Sequence, residues 1–187
     1  MKKIVIKPYW NVEKEQAWLN KMSASGYQLT DYFWIRYVFE KAEAGEYTYF
    51  IDLLSAGRHS PESESYLVFL ENSGVEVVAT YMRWVYLRKR TADGPLVLYS
   101  DTTSKVAYLR RLSRFYAFLS ILELMCGGYN VAISLIILAG MGFDQMPIFN
   151  LVMGILLLML GVVFAIGLWL PIRTQMKKFM RESAIFE

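Results

Sequence analysis

"WLNKMSASGYQLTDYFWIRYVFEKAEAGEYTY" (residues 18–49) and "YLVFLENSGVEVVATYMRWVYLRKRTADGPLVLY" (residues 66–99) are two versions of one pattern, set 48 positions apart. Ser25-Gly26 aligns with Ser73-Gly74, Leu29 with Val77, and "VFEK" (38–41) with "YLRK" (86–89), while Gly45 falls close to the place of Gly94. Each copy reads as an amphipathic helix that stops at a glycine, where left-handed backbone closes a helix. A long strand, a glycine-containing turn and a second strand follow. In the first copy Val12, Trp18, Leu19 and Met22 share one side of the helix, and Asn11 stands at its N-cap. With "KIVIK" (3–7) as a leading strand, the expected order is β-α-β-β-α-β-β, a ferredoxin-like α+β pattern with an extra hairpin arm.

Helices on one face of such a sheet leave the other face to be open or used. Alternation along strand 32–40 places Tyr32, Trp34, Arg36, Val38 and Glu40 on one side; along strand 81–89 it places Met82, Trp84, Tyr86 and Arg88 together. A solvated face is polar by alternation, whereas an aromatic face with interspersed Arg and Glu has the composition of an interface. Tyr32, Trp34, Arg36, Trp84, Tyr86 and Arg88 are therefore the candidate surface for a protein partner or a small amphipathic ligand. The structural alternative is that this face packs on the C-terminal part of the chain or on a second copy.

Most of the charge lies before residue 115, and two apolar runs of about 25 residues follow, Phe115–Gly140 and Pro147–Pro171. At ~1.5 Å rise per residue either run crosses a hydrocarbon layer of ~30 Å. Lys105, Arg110, Arg111 and Arg114 precede the first run, and Arg173, Lys177, Lys178 and Arg181 follow the second. The connection between them carries Asp144 and no basic residue. That bias puts both chain ends in the cytoplasm of the membrane-anchored protein. The apolar stretch of "MKKIVIKPYW" is too short for the core of a signal peptide. The expected organisation is a cytoplasmic domain (1–104), a basic juxtamembrane segment (105–114), a first span (115–140), an extracytoplasmic loop (141–146), a second span (147–171) and a basic cytoplasmic tail (172–187).

The first span carries a glutamate. Ser120, Glu123, Gly127, Asn130 and Ser134 are spaced three, four, three and four apart, so they form one seam of small and polar residues. The second span has a matching line in Asn150, Gly154, Gly161 and Ala165. Small residues let membrane helices approach closely and polar ones can bond between them. Glu123 stands about five residues, or ~7 Å, to the cytoplasmic side of the middle of its run. A bare carboxylate there is costly, so protonation, a hydrogen bond to Asn130 or Asn150, or a cation is expected. The functional alternative is a proton- or cation-linked carboxylate in an oligomeric channel.

Other chemistries find little support in the sequence. Residues 1–110 hold 14 basic and 13 acidic side chains, a net of +1, without the basic excess of a nucleic-acid-binding face. The single Cys126 lies in the first span, and the single His59 lies in the loop-like "SAGRHSPES"; together they make neither a disulfide framework nor a zinc ligand set. Glu13 with Glu15, and Glu62 with Glu64, sit at helix starts, where carboxylates favour the helix dipole. No phosphate-binding glycine loop, nucleophile elbow or HExxH stands in the chain. No cofactor and no catalytic residue is assigned.

"WNVEKEQAWLNKMSASGYQL", "YVFEKAEAGEYTYFIDLL" and "SGVEVVATYMRWVYLRK" together resemble a bacterial family of uncharacterised proteins over roughly residues 7–105. The resemblance implies a cytoplasmic domain followed by hydrophobic helices, and genes often placed beside PadR-type regulators. It supplies no catalytic residues. The expected function is a non-enzymatic regulatory or sensory protein of the bacterial cytoplasmic membrane. It would act with a cytoplasmic protein partner, possess no nucleic-acid partner, and self-associate. The alternative expectation is an oligomeric channel or transporter-accessory subunit with Glu123 in the path.

Overall fold

The computed structural model describes residues 2–141 and 145–183, which fall into two compact units, 1–98 and 99–187. In the first unit the elements are β1 (Lys3–Ile6), α1 (Val12–Ala24), β2 (Tyr27–Phe33), β3 (Arg36–Lys41), β4 (Tyr47–Leu53), α2 (Pro61–Asn72), β5 (Glu76–Tyr81) and β6 (Trp84–Arg90). The local signals explain the helices. Asn11 caps α1 by accepting from the Lys14 N–H at 3.0 Å, and Ser60 caps α2 by accepting from Ser63 N–H at 3.2 Å. Pro61 opens α2, where its missing N–H leaves nothing unpaired. Both helices end in a serine followed by glycine in the left-handed region, Gly26 at φ +79° and Gly74 at φ +77°.

The long strands expected over 32–40 and 81–89 are instead hairpins. Trp34-Ile35 and Met82-Arg83 are two-residue loops that reverse the chain between β2 and β3 and between β5 and β6. Neither loop contains the Gly, Asn, Asp or Pro that announces a reversal, so alternation alone ran straight through them. The reversal breaks the expected alternating faces: Tyr32 pairs with Tyr37 across one hairpin, and Tyr81 with Trp84 across the other. A register shift follows Leu29 in β2 and Val77 in β5, again 48 residues apart.

The repeat is thus larger than its helix and two strands. Strand β4 opens the second copy, as β1 opens the first, and each copy is β-α-β-β. The strands form two antiparallel three-stranded sheets, ordered β1-β3-β2 and β4-β6-β5, where the sequence pattern suggested one ferredoxin-like sheet. Strand β4 leaves the first copy because it pairs with β6 over its whole length, from Tyr47↔Arg90 to Leu53↔Trp84.

Helix α1 joins the copies. Trp18 meets the rings of Tyr37 and Phe39 on β3 at 4.8 and 5.6 Å, which covers the first sheet. One polar stripe on the same helix reaches β4 of the second copy. Gln16 accepts from Ile51 N–H, Asn20 both donates to the Tyr49 carbonyl and accepts from its N–H, and the Ser23 hydroxyl donates to the Tyr47 carbonyl. Side chains at 16, 20 and 23 therefore satisfy backbone groups that an edge strand would leave open. Leu19, Leu29, Tyr37, Phe39, Tyr49 and Ile51 are buried there. A second cluster, Leu54, Leu67, Leu70, Val75, Val85 and Leu87, lies under α2, with Leu96 and Leu98 packed against it.

The second unit contains α3 (Thr102–Met141), α4 (Gln145–Phe164), a π-helical turn over Ala165–Trp169, and α5 (Leu170–Ser183). Two of its helical stretches, Thr102–Gly140 and Ile148–Arg181, are long and apolar enough to cross a membrane. Their most apolar windows are only 11% and 22% buried.

Candidate functional site

The sequence marks Glu15 as a helix-start carboxylate, but the fold places it in the core. It lies between Val12 and Leu19 on the buried stripe of α1, one turn from each, and is 8% exposed. Its Oε1 accepts from the Tyr37 hydroxyl at 2.6 Å and from the Tyr86 hydroxyl at 2.7 Å. Tyr37 belongs to the first repeat and Tyr86 to the second, so one carboxyl oxygen holds both sheets to α1. Burial raises the Glu15 pKa above the ordinary carboxylate range and outweighs the two phenol bonds, which act to lower it. Burial, followed by the Glu15 charge, pushes both phenols well above the ordinary tyrosine range, so they remain donors. Glu13, by contrast, is exposed, as a dipole-favouring helix-start carboxylate can be.

The expected aromatic face is divided by this arrangement. Tyr86 is 3% exposed, and the Tyr32 ring lies tilted against it at 4.1 Å between ring centres. Arg88 donates to Glu76 at 2.7 Å and to Gln28 at 3.1 Å, and its guanidinium lies over the Tyr47 ring. Trp84 is half-buried. Trp34 sits at the apex of the β2–β3 hairpin, with Arg36 two residues after it and 3.7 Å from Asp31. Three of the six residues thus serve the junction between repeats, Trp34 and Arg36 belong to a hairpin tip, and Trp84 starts β6. Sequence spacing did carry one signal for Glu15: it falls at the centre of an otherwise apolar stripe, which a purely solvated glutamate does not need.

In the second unit the glycines of the two seams bring α3 and α4 together. A Cβ placed on Gly127 would lie 2.8 Å from the Gly154 carbonyl oxygen and 2.8 Å from Leu158 N; one placed on Gly154 would lie 2.9 Å from the Gly127 carbonyl oxygen. A Cβ on Gly161 would lie 2.9 Å from Leu124 Cγ and 3.2 Å from Glu123 Cβ. Helices α3 and α4 run antiparallel with backbone against backbone at this crossing. Ser120 and Ser134 are buried and Asn150 half-buried. Asn130 donates to the Cys126 carbonyl and Ser134 to the Asn130 carbonyl, so both bond back to their own helix. Glu123 is half-buried and makes no hydrogen bond or ion pair with another described residue. Of the expected loop 141–146, residues 142–144 lie outside the described residues, while Met141 ends α3 and Gln145 and Met146 begin α4.

Among the described residues no three His, Cys, Asp or Glu side chains group as a metal site. His59 is an exposed loop residue 3.9 Å from Glu64.

A family described as "Protein of unknown function (DUF2812)" matches residues 11–121, more than half of the chain. The chain belongs to the DUF2812 family. The match begins at the cap of α1, after β1, runs through the rest of both repeats of the DUF2812 domain and on into the first half of α3. No curated protein and no solved structure matches the chain.

Three outcomes follow from these contacts. Glu15→Gln keeps an oxygen for both phenols, whereas Glu15→Ala strands two buried hydroxyls and should cost about 2–4 kcal/mol in unfolding free energy. The folded state holds the Glu15 proton more tightly than the unfolded chain does. Its contribution is therefore most favourable below about pH 4.3 and is lost as pH rises from there through the raised folded-state pKa. Denaturation of the wild type and of Glu15→Gln across that range should show this falling slope in the wild type only. In the second unit, Gly154→Val must push α4 away from the Gly127 carbonyl, costing about 1–3 kcal/mol. Gly128→Ala, where nothing lies within 4 Å, should be neutral or better; thermal unfolding in detergent compares the two.

Proposed function

We propose that this DUF2812 protein is a non-enzymatic regulatory or sensory protein anchored in the cytoplasmic membrane, with both chain ends inside the cell. The observation that carries this reading is the uncovered apolar surface of the second unit. Phe118, Ile121, Met125, Tyr129 and Ile136 on α3, and Phe149, Val163 and Ile166 further on, are all more than half exposed. Water would penalise so contiguous an apolar surface, and a bilayer would not. The cations from Lys105 to Arg114 and from Arg173 to Arg181 support the orientation.

In this reading the paired spans hold the domain at the membrane, where it acts with a cytoplasmic protein partner. We read each β-α-β-β copy as a split β-α-β unit of ferredoxin-like type, fused through α1 to the next. Because α4 occupies the Gly127 crossing within one chain, self-association would use the remaining apolar faces. The half-buried Glu123 favours a second reading, an oligomeric conduit. Proton or cation flux in reconstituted liposomes, lost in Glu123→Gln, would replace the first reading with that one.

Expression of fusions tests the anchor and its orientation. The chain should resist carbonate extraction from membranes, and a C-terminal green fluorescent reporter should glow while C-terminal alkaline phosphatase stays inactive. Release of the chain by carbonate would end the membrane reading; active C-terminal phosphatase would reverse its orientation.

A further inference from the structure

The two hairpin loops place large apolar residues where backbone geometry disfavours them. Trp34 has φ 57° and Met82 has φ 55°, and these are the two non-glycine residues with positive φ among those described. Each is the first residue of a two-residue hairpin loop, the position a type II′ turn gives to glycine. A bulky side chain there is strained. The strain is present twice, at positions 48 apart, and neither side chain is buried in return: Trp34 is 62% exposed and Met82 77%.

The fold brings both apices to one end of the first unit. Strands β2 and β5 lie side by side and run in the same direction: Arg88, paired with Glu76 near the start of β5, reaches Gln28 near the start of β2, and Phe33 and Tyr32 meet the Tyr81 ring at the far end. Strand β1 ends there too, since Lys7 N–H donates to the Ile35 carbonyl. Ile6 (70% exposed), Trp10 (64%) and Phe33 (62%) join Trp34 and Met82 on that end. At the opposite end the described turns 42–46 and 91–94 expose none of the large apolar side chains, and the exposed Val68 and Phe69 stand on the last turns of α2. Cations stand directly behind the apices. Arg83 sits in the loop itself with its guanidinium on the Leu54 and Ser55 carbonyls, Arg36 stands two residues after Trp34, and Lys7 follows Ile6 with its ammonium over the Tyr9 and Trp18 rings. Asp31, the carboxylate nearest the first apex, pairs with Arg36.

We propose that this end of the domain is a lipid-contacting surface, with Trp34, Met82, Phe33 and Ile6 entering the bilayer interface and the exposed Arg36 reaching phosphates. Protruding two-residue apices offer convex points rather than a groove, and a fluid planar surface meets all of them at once. Aromatic side chains backed by cations suit the headgroup layer, and long basic side chains leave their charge there. Strain held at a recognition point is a recurring arrangement. The inference rests on the membrane-anchored reading, since the spans keep this domain within reach of lipid.

The test uses the full chain with Cys126→Ser and a single new cysteine, Met82→Cys at the apices or Glu43→Cys at the other end, each carrying an NBD fluorophore. The chain is reconstituted in phosphatidylcholine–phosphatidylglycerol vesicles, with doxyl-labelled lipid as quencher. Position 82 should shift to the blue and be quenched severalfold more than position 43. Equal, weak quenching at both, in chain that floats with the vesicles, would overturn the lipid surface and leave the anchor standing. Chain that does not float would overturn both. An emission shift at 82 that follows protein density rather than lipid composition would assign the apices to a second copy, and equally overturn the proposal. In Trp34→Gly/Met82→Gly, read from a label at Ile6→Cys, quenching should fall while the unfolding temperature rises, because glycine takes the positive φ of this turn position without strain. A lowered unfolding temperature with quenching unchanged would mean that the two side chains serve only the fold.

Discussion

Helix α1 is asked to satisfy two sheets at once, and the first unit is arranged around that demand. A three-stranded sheet buries little alone and presents two edges of unpaired backbone groups. The apolar side of α1 covers its own sheet through Trp18 and Leu19, while Gln16, Asn20 and Ser23 carry the hydrogen bonds that strand β4 needs. Glu15 lies within the apolar stripe and takes both tyrosine hydroxyls on one oxygen. A helix with only an apolar stripe would leave β4 unsatisfied, and one with only polar residues would leave Tyr37 and Phe39 uncovered. The mean amphipathicity of α1 is modest because its inward surface is itself half polar.

The second unit solves its packing differently. Its helices carry apolar side chains on most of their surface, so in the proposed membrane setting burial against one another is not what brings them together. Removal of side chains does so: at Gly127 and Gly154 the two backbones come within the reach of a single Cβ. Close approach maximises dispersion contact, and serine and asparagine side chains turned back onto their own helices leave the crossing free of competing bonds. Glu123 stands beside this crossing at Gly161 without a described partner, which makes it the most informative polar group in the apolar segment.

Much of this architecture was legible in the sequence, and the illegible parts have identifiable causes. Both helix starts, both Ser-Gly helix ends and the 48-residue offset were carried by short-range signals that depend on the backbone alone. The small-residue seam was legible because helical spacing fixes which residues share a face. The hairpins at Trp34-Ile35 and Met82-Arg83 were not, since their loops use bulky residues where turn chemistry calls for glycine. Missing them merged strands, misplaced Tyr86 on an open face, and assigned β4 to the wrong copy. Glu15 was hidden because its partners lie 22 and 71 residues away, and a carboxylate in a first helical turn has an ordinary explanation that requires no partner.

The central claim is that α1 makes one cooperative body of two repeats that each could pass for a small domain. Amide hydrogen exchange on the full chain, comparing wild type with Asn20→Leu, addresses it most directly. The account predicts that the slowest amides of β3 and β6 open with a common free energy, and that the substitution accelerates both alike. Acceleration confined to one sheet, with the slow amides of the other unchanged, would contradict it and make the repeats two independent domains.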